Sequence, residues 1–125
     1  MVKNNGIWKV GELSYRVIKL LGLSLQEGSP IYIGKENIRH IKKSHLRDFQ
    51  KYGKDINKII SFPTYISRNP KKNSIEYIKV YEDKKDYVLV AVRPSSNGIL
   101  YIRTLFIMSY EKIAKYWIKK VFKMF

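Results

Sequence analysis

The only two imidazoles in the chain, His40 and His45, lie in one short segment, Ile38-Arg39-His40-Ile41-Lys42-Lys43-Ser44-His45-Leu46. Two strand-like runs further on end in Val90-Ala91-Val92-Arg93 and Tyr101-Ile102-Arg103-Thr104. Imidazole moves protons near neutral pH. A guanidinium fork matches two oxygens of a phosphate, which lysine does less well. If the fold brings these groups together, the chemistry within reach is proton transfer at a phosphodiester. RNA carries its own nucleophile for that reaction, the 2′-OH. A protein then has to supply a base, an acid for the departing 5′-oxygen, and cations around the phosphorane.

Composition agrees with an anionic partner. Twenty-five basic residues face ten acidic ones, a net charge of +15, and such an excess draws phosphate backbones, anionic lipids or an acidic protein. Mutational bias is the competing explanation, since Lys, Ile, Asn and Tyr are all abundant. Cysteine is absent, which excludes disulfides, thiolate zinc sites and cysteine nucleophiles. The acids are mostly scattered, with Glu82, Asp83 and Asp86 grouped at a hairpin tip. There is no H-E-x-x-H motif and no P-loop, so the sequence calls for no metal and no cofactor. No apolar run reaches the roughly 20 residues of a membrane span. Met1-Val2-Lys3-Asn4-Asn5-Gly6 lacks the apolar core of a signal peptide. The expected location is the cytoplasm, or the cytoplasm of a target cell after delivery.

The elements that must position these residues read as follows. Residues 7–11 are too short to assign. Between residues 12 and 24, Leu13, Val17, Leu20 and Leu21 fall near helical spacing. Ile31-Tyr32-Ile33 is a short strand or extended entry. A helix is expected from about Lys35 to about Tyr52, ended by Gly53, then a helical turn or two from Asp55 to Ile60, ended by Pro63. Strands follow at Thr64–Ser67, Ile75–Tyr81, Tyr87–Arg93 and Ile99–Ile107. Ser109 is placed to cap a final helix from Tyr110 to about Val121. The expected fold class is α+β in one domain, residues 1–125: N-terminal helices, a four-stranded antiparallel meander, and a closing helix.

At about 100° per residue, His45 shares a stripe with Ile38, Ile41 and Phe49, while His40 points towards the polar side with Glu36. His45 is then either a satisfied core histidine or faces a cleft beside the sheet. His40 is a surface residue, an RNA contact or a second acid/base. Val88, Val90 and Val92 share what looks like the core face. Tyr101, Arg103 and Leu105 share a face opposite Leu100, Ile102, Thr104 and Phe106. Thr104 is thus either a strand former on an apolar face or a hydroxyl for a phosphate. Tyr77, Lys79 and Tyr81 alternate as a set that could stack bases and hold phosphates, or merely form a solvated sheet face. In the last segment, Ile113, Trp117, Ile118, Val121 and Phe122 form an apolar stripe flanked by Lys112, Lys115, Lys119 and Lys123. Such a stripe packs on the protein's own sheet or binds a membrane surface.

The order of several short motifs carries a resemblance. Val10-Gly11-Glu12-Leu13, Ile31-Tyr32-Ile33-Gly34, His40-Ile41-Lys42-Lys43-Ser44-His45, Ile59-Ile60-Ser61-Phe62-Pro63-Thr64-Tyr65-Ile66, Ser74-Ile75-Glu76, Val90-Ala91-Val92-Arg93 and Arg103-Thr104-Leu105 follow one another over nearly the whole chain. In this order they resemble the phage- and mobile-element-associated nucleases of the barnase–EndoU–colicin–RelE superfamily. The resemblance implies helices on a four-stranded antiparallel sheet and metal-independent cleavage of RNA, tRNA being one candidate substrate. It also implies a toxin-like role, with an acidic immunity or antitoxin protein as a further partner; the alternative is a non-catalytic nucleic-acid-binding module or a phage-associated protein-interaction domain. By position it makes His45 the acid or base, Arg93 the group that stabilises the phosphorane, and Thr104 a neighbour of the phosphate. Arg103, Ser95, Lys79 and His40 are secondary candidates. The typical helix motif has proline after its histidine; here Leu46 follows His45.

Overall fold

A computed structural model describes residues 6–125. Ile7–Glu12 (β1) and Pro30–Gly34 (β2) flank a short helix, Tyr15–Leu21 (α1). The long helix Lys35–Tyr52 (α2) follows directly, then a 3-10 turn at Gly53–Asp55 and the helix Ile56–Ser61 (α3). Tyr65–Asn69 (β3), Ser74–Tyr81 (β4), Asp86–Pro94 (β5) and Leu100–Ile107 (β6) form the meander, and Tyr110–Ile118 (α4) precedes a short strand, Lys123–Met124 (β7). The sheet is seven-stranded, ordered β1-β2-β6-β5-β4-β3-β7.

The expected meander is therefore the centre of a larger, mixed sheet, and the expected layout is corrected at both ends. β1 and β2 are interleaved with the first helices, and β2 runs parallel to β6. Parallel partners are joined through a long crossover, so nothing local in Ile31-Tyr32-Ile33 announces its neighbour. The last helix stops at Ile118 because Lys120 takes a left-handed conformation, φ +56°. Its N–H donates to Trp117 O at 3.1 Å and that of Val121 to Tyr116 O at 2.9 Å, a Schellman termination without the usual glycine. The chain turns back there. Phe122 packs against Tyr65, Tyr116 and Trp117 from outside the helix, and Ile118 is left exposed rather than buried in the stripe.

Both faces of the sheet are covered. Val88, Val90 and Val92 pack with Ile31, Ile66, Ile102 and Leu105 under α1, α3 and the Ile41 side of α2. Leu89 and Ala91 pack with Ile78, Met108 and Ile113 on the α4 side. α2 stands at a particular place. β2 pairs with β6 only at Leu100 and Tyr101, and α2 packs against β6. Asp48 Oδ2 accepts from the Ile107 N–H at 3.0 Å, capturing a donor of that strand.

The same C-terminal end of α2 is also tied to β5. Tyr52, only 2% exposed, donates its hydroxyl to Asp86 Oδ2 at 2.6 Å, and Lys51 donates to the same oxygen at 2.9 Å. Burial pushes the Asp86 carboxyl up, but the hydrogen bonds from Tyr52 and Lys51 outweigh it and hold the group below its ordinary value. A depressed folded-state value means the carboxylate stabilises the fold above its unfolded value and loses that contribution as pH falls through the folded one. Asp86→Ala is expected to lower stability by about 1–3 kcal/mol at neutral pH, because it orphans a buried hydroxyl. Urea unfolding across acid pH should show the gap from wild type closing as the carboxylate protonates.

Candidate active site

Local irregularities build the site. In the β5–β6 ladder Val90 faces Leu105 and Ala91 faces Thr104, but Val92 faces Ile102. Arg103 is the extra residue of a β-bulge, and a bulge shifts the phase of alternation. Ile102 and Leu105 consequently both point into the first core, whereas Arg103, Thr104 and Phe106 line a cavity on the other side. The expected grouping of Arg103 with Leu105, and of Thr104 with Ile102, is corrected by this one inserted residue. Arg93 on β5 lines the same cavity. Its Nε is buried and has no acceptor among the described residues.

α2 supplies the imidazoles. His45 leaves helical geometry, with φ −138° and ψ 47°, and divides the helix in two. Proline normally excludes the helical conformation from the residue before it; here the bend is present with Leu46 in that place. The His45 ring stacks on Phe106, centroids 5.3 Å apart and planes at 29°, and its side chain is 36% exposed. Of the two readings of His45, the structure has the ring at a cleft and not sealed in the core. Asp48 Oδ2 lies 4.0 Å from His45 Nδ1, beyond hydrogen-bond length. An unbroken helix would set His40 and His45 about 140° apart, yet both line this cavity.

The cavity has a volume of about 280 Å³. It brings together His40, His45, Arg93, Arg103 and Thr104. Two expected residues are elsewhere. Lys79 donates to Phe62 O at 2.8 Å because alternation along β4 sends it to the opposite face from the cavity. Ser95 sits in the turn after β5, its hydroxyl donating to the Asn97 side chain. The set Tyr77, Lys79 and Tyr81 does not form an open stacking face either. Tyr77 is buried in the first core, and Tyr81 donates to Asp55 Oδ2 at 2.8 Å.

The structure adds Asn69, Lys72, Ser74, Glu76 and Lys112 to the cavity wall. Glu76 is 5% exposed. Its Oε1 accepts from Ser67 at 2.6 Å and from Tyr116 at 2.8 Å, which anchors α4 to the sheet. Burial first, and then this carboxylate, pushes the Tyr116 hydroxyl well up. Glu76 had a signal in the sequence, an acid set between apolar residues in Ser74-Ile75-Glu76-Tyr77-Ile78. Lys112 is held over the Phe106 ring at 5.5 Å.

Four side chains of fixed positive charge (Lys72, Arg93, Arg103 and Lys112) and two imidazoles thus surround one partly engaged carboxylate. A buried donor left without an acceptor costs about 1–3 kcal/mol, a cost that the Arg93 Nε carries. Among the described residues no three His, Asp or Glu side chains gather as a metal-binding group. Also among them, no helix is long and apolar enough to cross a membrane.

Helices flank a largely antiparallel sheet, and two imidazoles and two guanidinium groups line one cationic cleft of this α+β fold. The chain belongs to the family described as phage-Barnase-EndoU-ColicinE5/D-RelE like nuclease3, whose family model matches residues 8–115. Every residue lining the cleft lies within that span. No curated protein and no solved structure matches the chain.

Proposed function

We propose that the protein is a metal-independent endoribonuclease that cleaves RNA by transesterification. The carrying observation is that His45 and Arg93 line one cleft whose walls are cationic. In the reaction the 2′-oxygen of the substrate bonds to the adjacent phosphorus as its proton leaves. The bond from phosphorus to the 5′-oxygen then breaks, and that oxygen takes up a proton. The products are a 2′,3′-cyclic phosphate and a 5′-hydroxyl. His45 carries one of the two proton transfers, and His40 or Glu76, both on the cleft wall, carries the other. Arg93 holds the non-bridging oxygens as charge develops, with Arg103, Lys72 and Lys112 around it. Thr104 donates its hydroxyl to the same phosphate.

Membership of a phage-associated nuclease family supports a toxin-like role, with tRNA among the substrates and an acidic immunity or antitoxin protein as partner. Purified protein incubated with tRNA and total RNA in EDTA is expected to give discrete fragments. Intact RNA across all substrates would overturn the catalytic reading. Expression should be toxic to cells, and His45→Ala should relieve the toxicity.

A further inference from the structure

A second depression adjoins the cleft and shares Asn69 and Glu76 with it. It has a volume of about 380 Å³ and runs between the β3–β4 hairpin and α4. Arg68 and Lys71 line it from the hairpin, Lys115 and Lys119 from the helix. Lys112, Lys115 and Lys119 are spaced to share one face of α4, and Lys112 already stands in the cleft. The helix thus carries a row of ammonium groups out of the cleft over about 10 Å.

None of the four groove cations is in an ion pair among the described residues. The one carboxylate in the groove, Glu76, has an oxygen occupied by Ser67 and Tyr116. A lysine near a helix C-terminus is favoured by the helix dipole, which accounts for Lys115 in the last turn and Lys119 at the cap. It does not account for Lys71 lining the groove from another element. Like charges converging from two elements repel unless an anion lies between them. An anion that continues from the cleft into the groove is a polymer of phosphates.

We infer that this groove binds the backbone of the nucleotides flanking the scissile one, so that the substrate is a strand of several nucleotides and not an isolated dinucleotide step. The inference rests on the proposed RNA-cleaving reading of the cleft. The contacts are to phosphates and carry no base preference of their own.

The test uses the whole chain and a 2′-O-methyl strand, which binds without being cut. Fluorescence anisotropy would compare strands of about three and about twelve nucleotides over a salt series. The variant Lys71→Ala/Lys115→Ala/Lys119→Ala removes three groove charges. As control, Lys19→Ala/Lys54→Ala/Lys58→Ala removes three exposed charges from the α1 and α3 side. The groove variant is expected to weaken the long strand at least about tenfold at low salt and to flatten the slope of log affinity against log salt by about 2, at roughly 0.7 per phosphate contact. Binding of the short strand should not change. Equal losses in the groove variant and the control would overturn the inference, as would equal losses for short and long strands. If the wild type shows the groove-dependent slope yet leaves ordinary RNA uncut, the groove stands and the ribonuclease reading fails.

Discussion

His45→Ala is expected to lower the rate of RNA cleavage about 10²–10⁴-fold, the usual contribution of one positioned proton-transfer group. The fold should survive. His45 is more than a third exposed, its ring makes one stack with Phe106, and its backbone already departs from the helix. Losing the stack costs about 0.5–1.5 kcal/mol. His45→Phe separates the two roles of the ring, since it keeps an aromatic partner for Phe106 and carries no titratable nitrogen. It should be as inactive as His45→Ala while melting close to wild type. If His45→Phe retained wild-type rates, the imidazole would be a packing element and the proton transfers would belong to other groups.

Arg93→Met is the second change of large effect. Methionine keeps the apolar stem and removes the guanidinium, so loss of phosphorane stabilisation should slow cleavage about 10²–10³-fold. Arg93→Lys should recover little, because a single ammonium cannot reproduce a planar fork at two oxygens. Stability should move the other way. The Nε is a buried donor without an acceptor, and removing it relieves a desolvation cost. Arg93→Met is therefore expected to melt at or above the wild-type temperature while losing activity, the pattern of a residue held for its ligand and not for the fold. A variant that lost stability and kept its rate would assign Arg93 to packing.

Much of this arrangement was legible in the residues. The long helix could be read to its ends because apolar spacing held from Lys35 to Tyr52 and a glycine followed. The meander could be read because alternation in its strands is clean between turn residues. The site was harder, for identifiable reasons. Strand alternation assumes an unbroken ladder, and the bulge at Arg103 reverses the phase without a glycine or proline to mark it. Helical periodicity assumes an unbroken helix, and the bend at His45 occurs without the proline that would announce it. The spacing thus placed His45 at a core position, whereas the position of α2 beside β6 turns its ring onto Phe106. Parallel pairing of β2 with β6 is a long-range event with no local signature. Lys79 and Ser95 were reasonable as isolated cations and hydroxyls, but only the sheet's two faces decide which of them reach the cleft. Glu76 was visible as an acid in an apolar strand, and its partners Ser67 and Tyr116 come from other elements.

The most direct measurement is the chemistry of the cut ends. A defined RNA cleaved in EDTA should carry a 2′,3′-cyclic phosphate on the upstream fragment and a 5′-hydroxyl on the downstream one. The same strand with a single 2′-deoxy nucleotide at the cut site should remain whole there. Fragments ending in a 3′-hydroxyl and a 5′-phosphate, or cleavage that continues at the deoxy position, would contradict a reaction driven by the substrate's own hydroxyl.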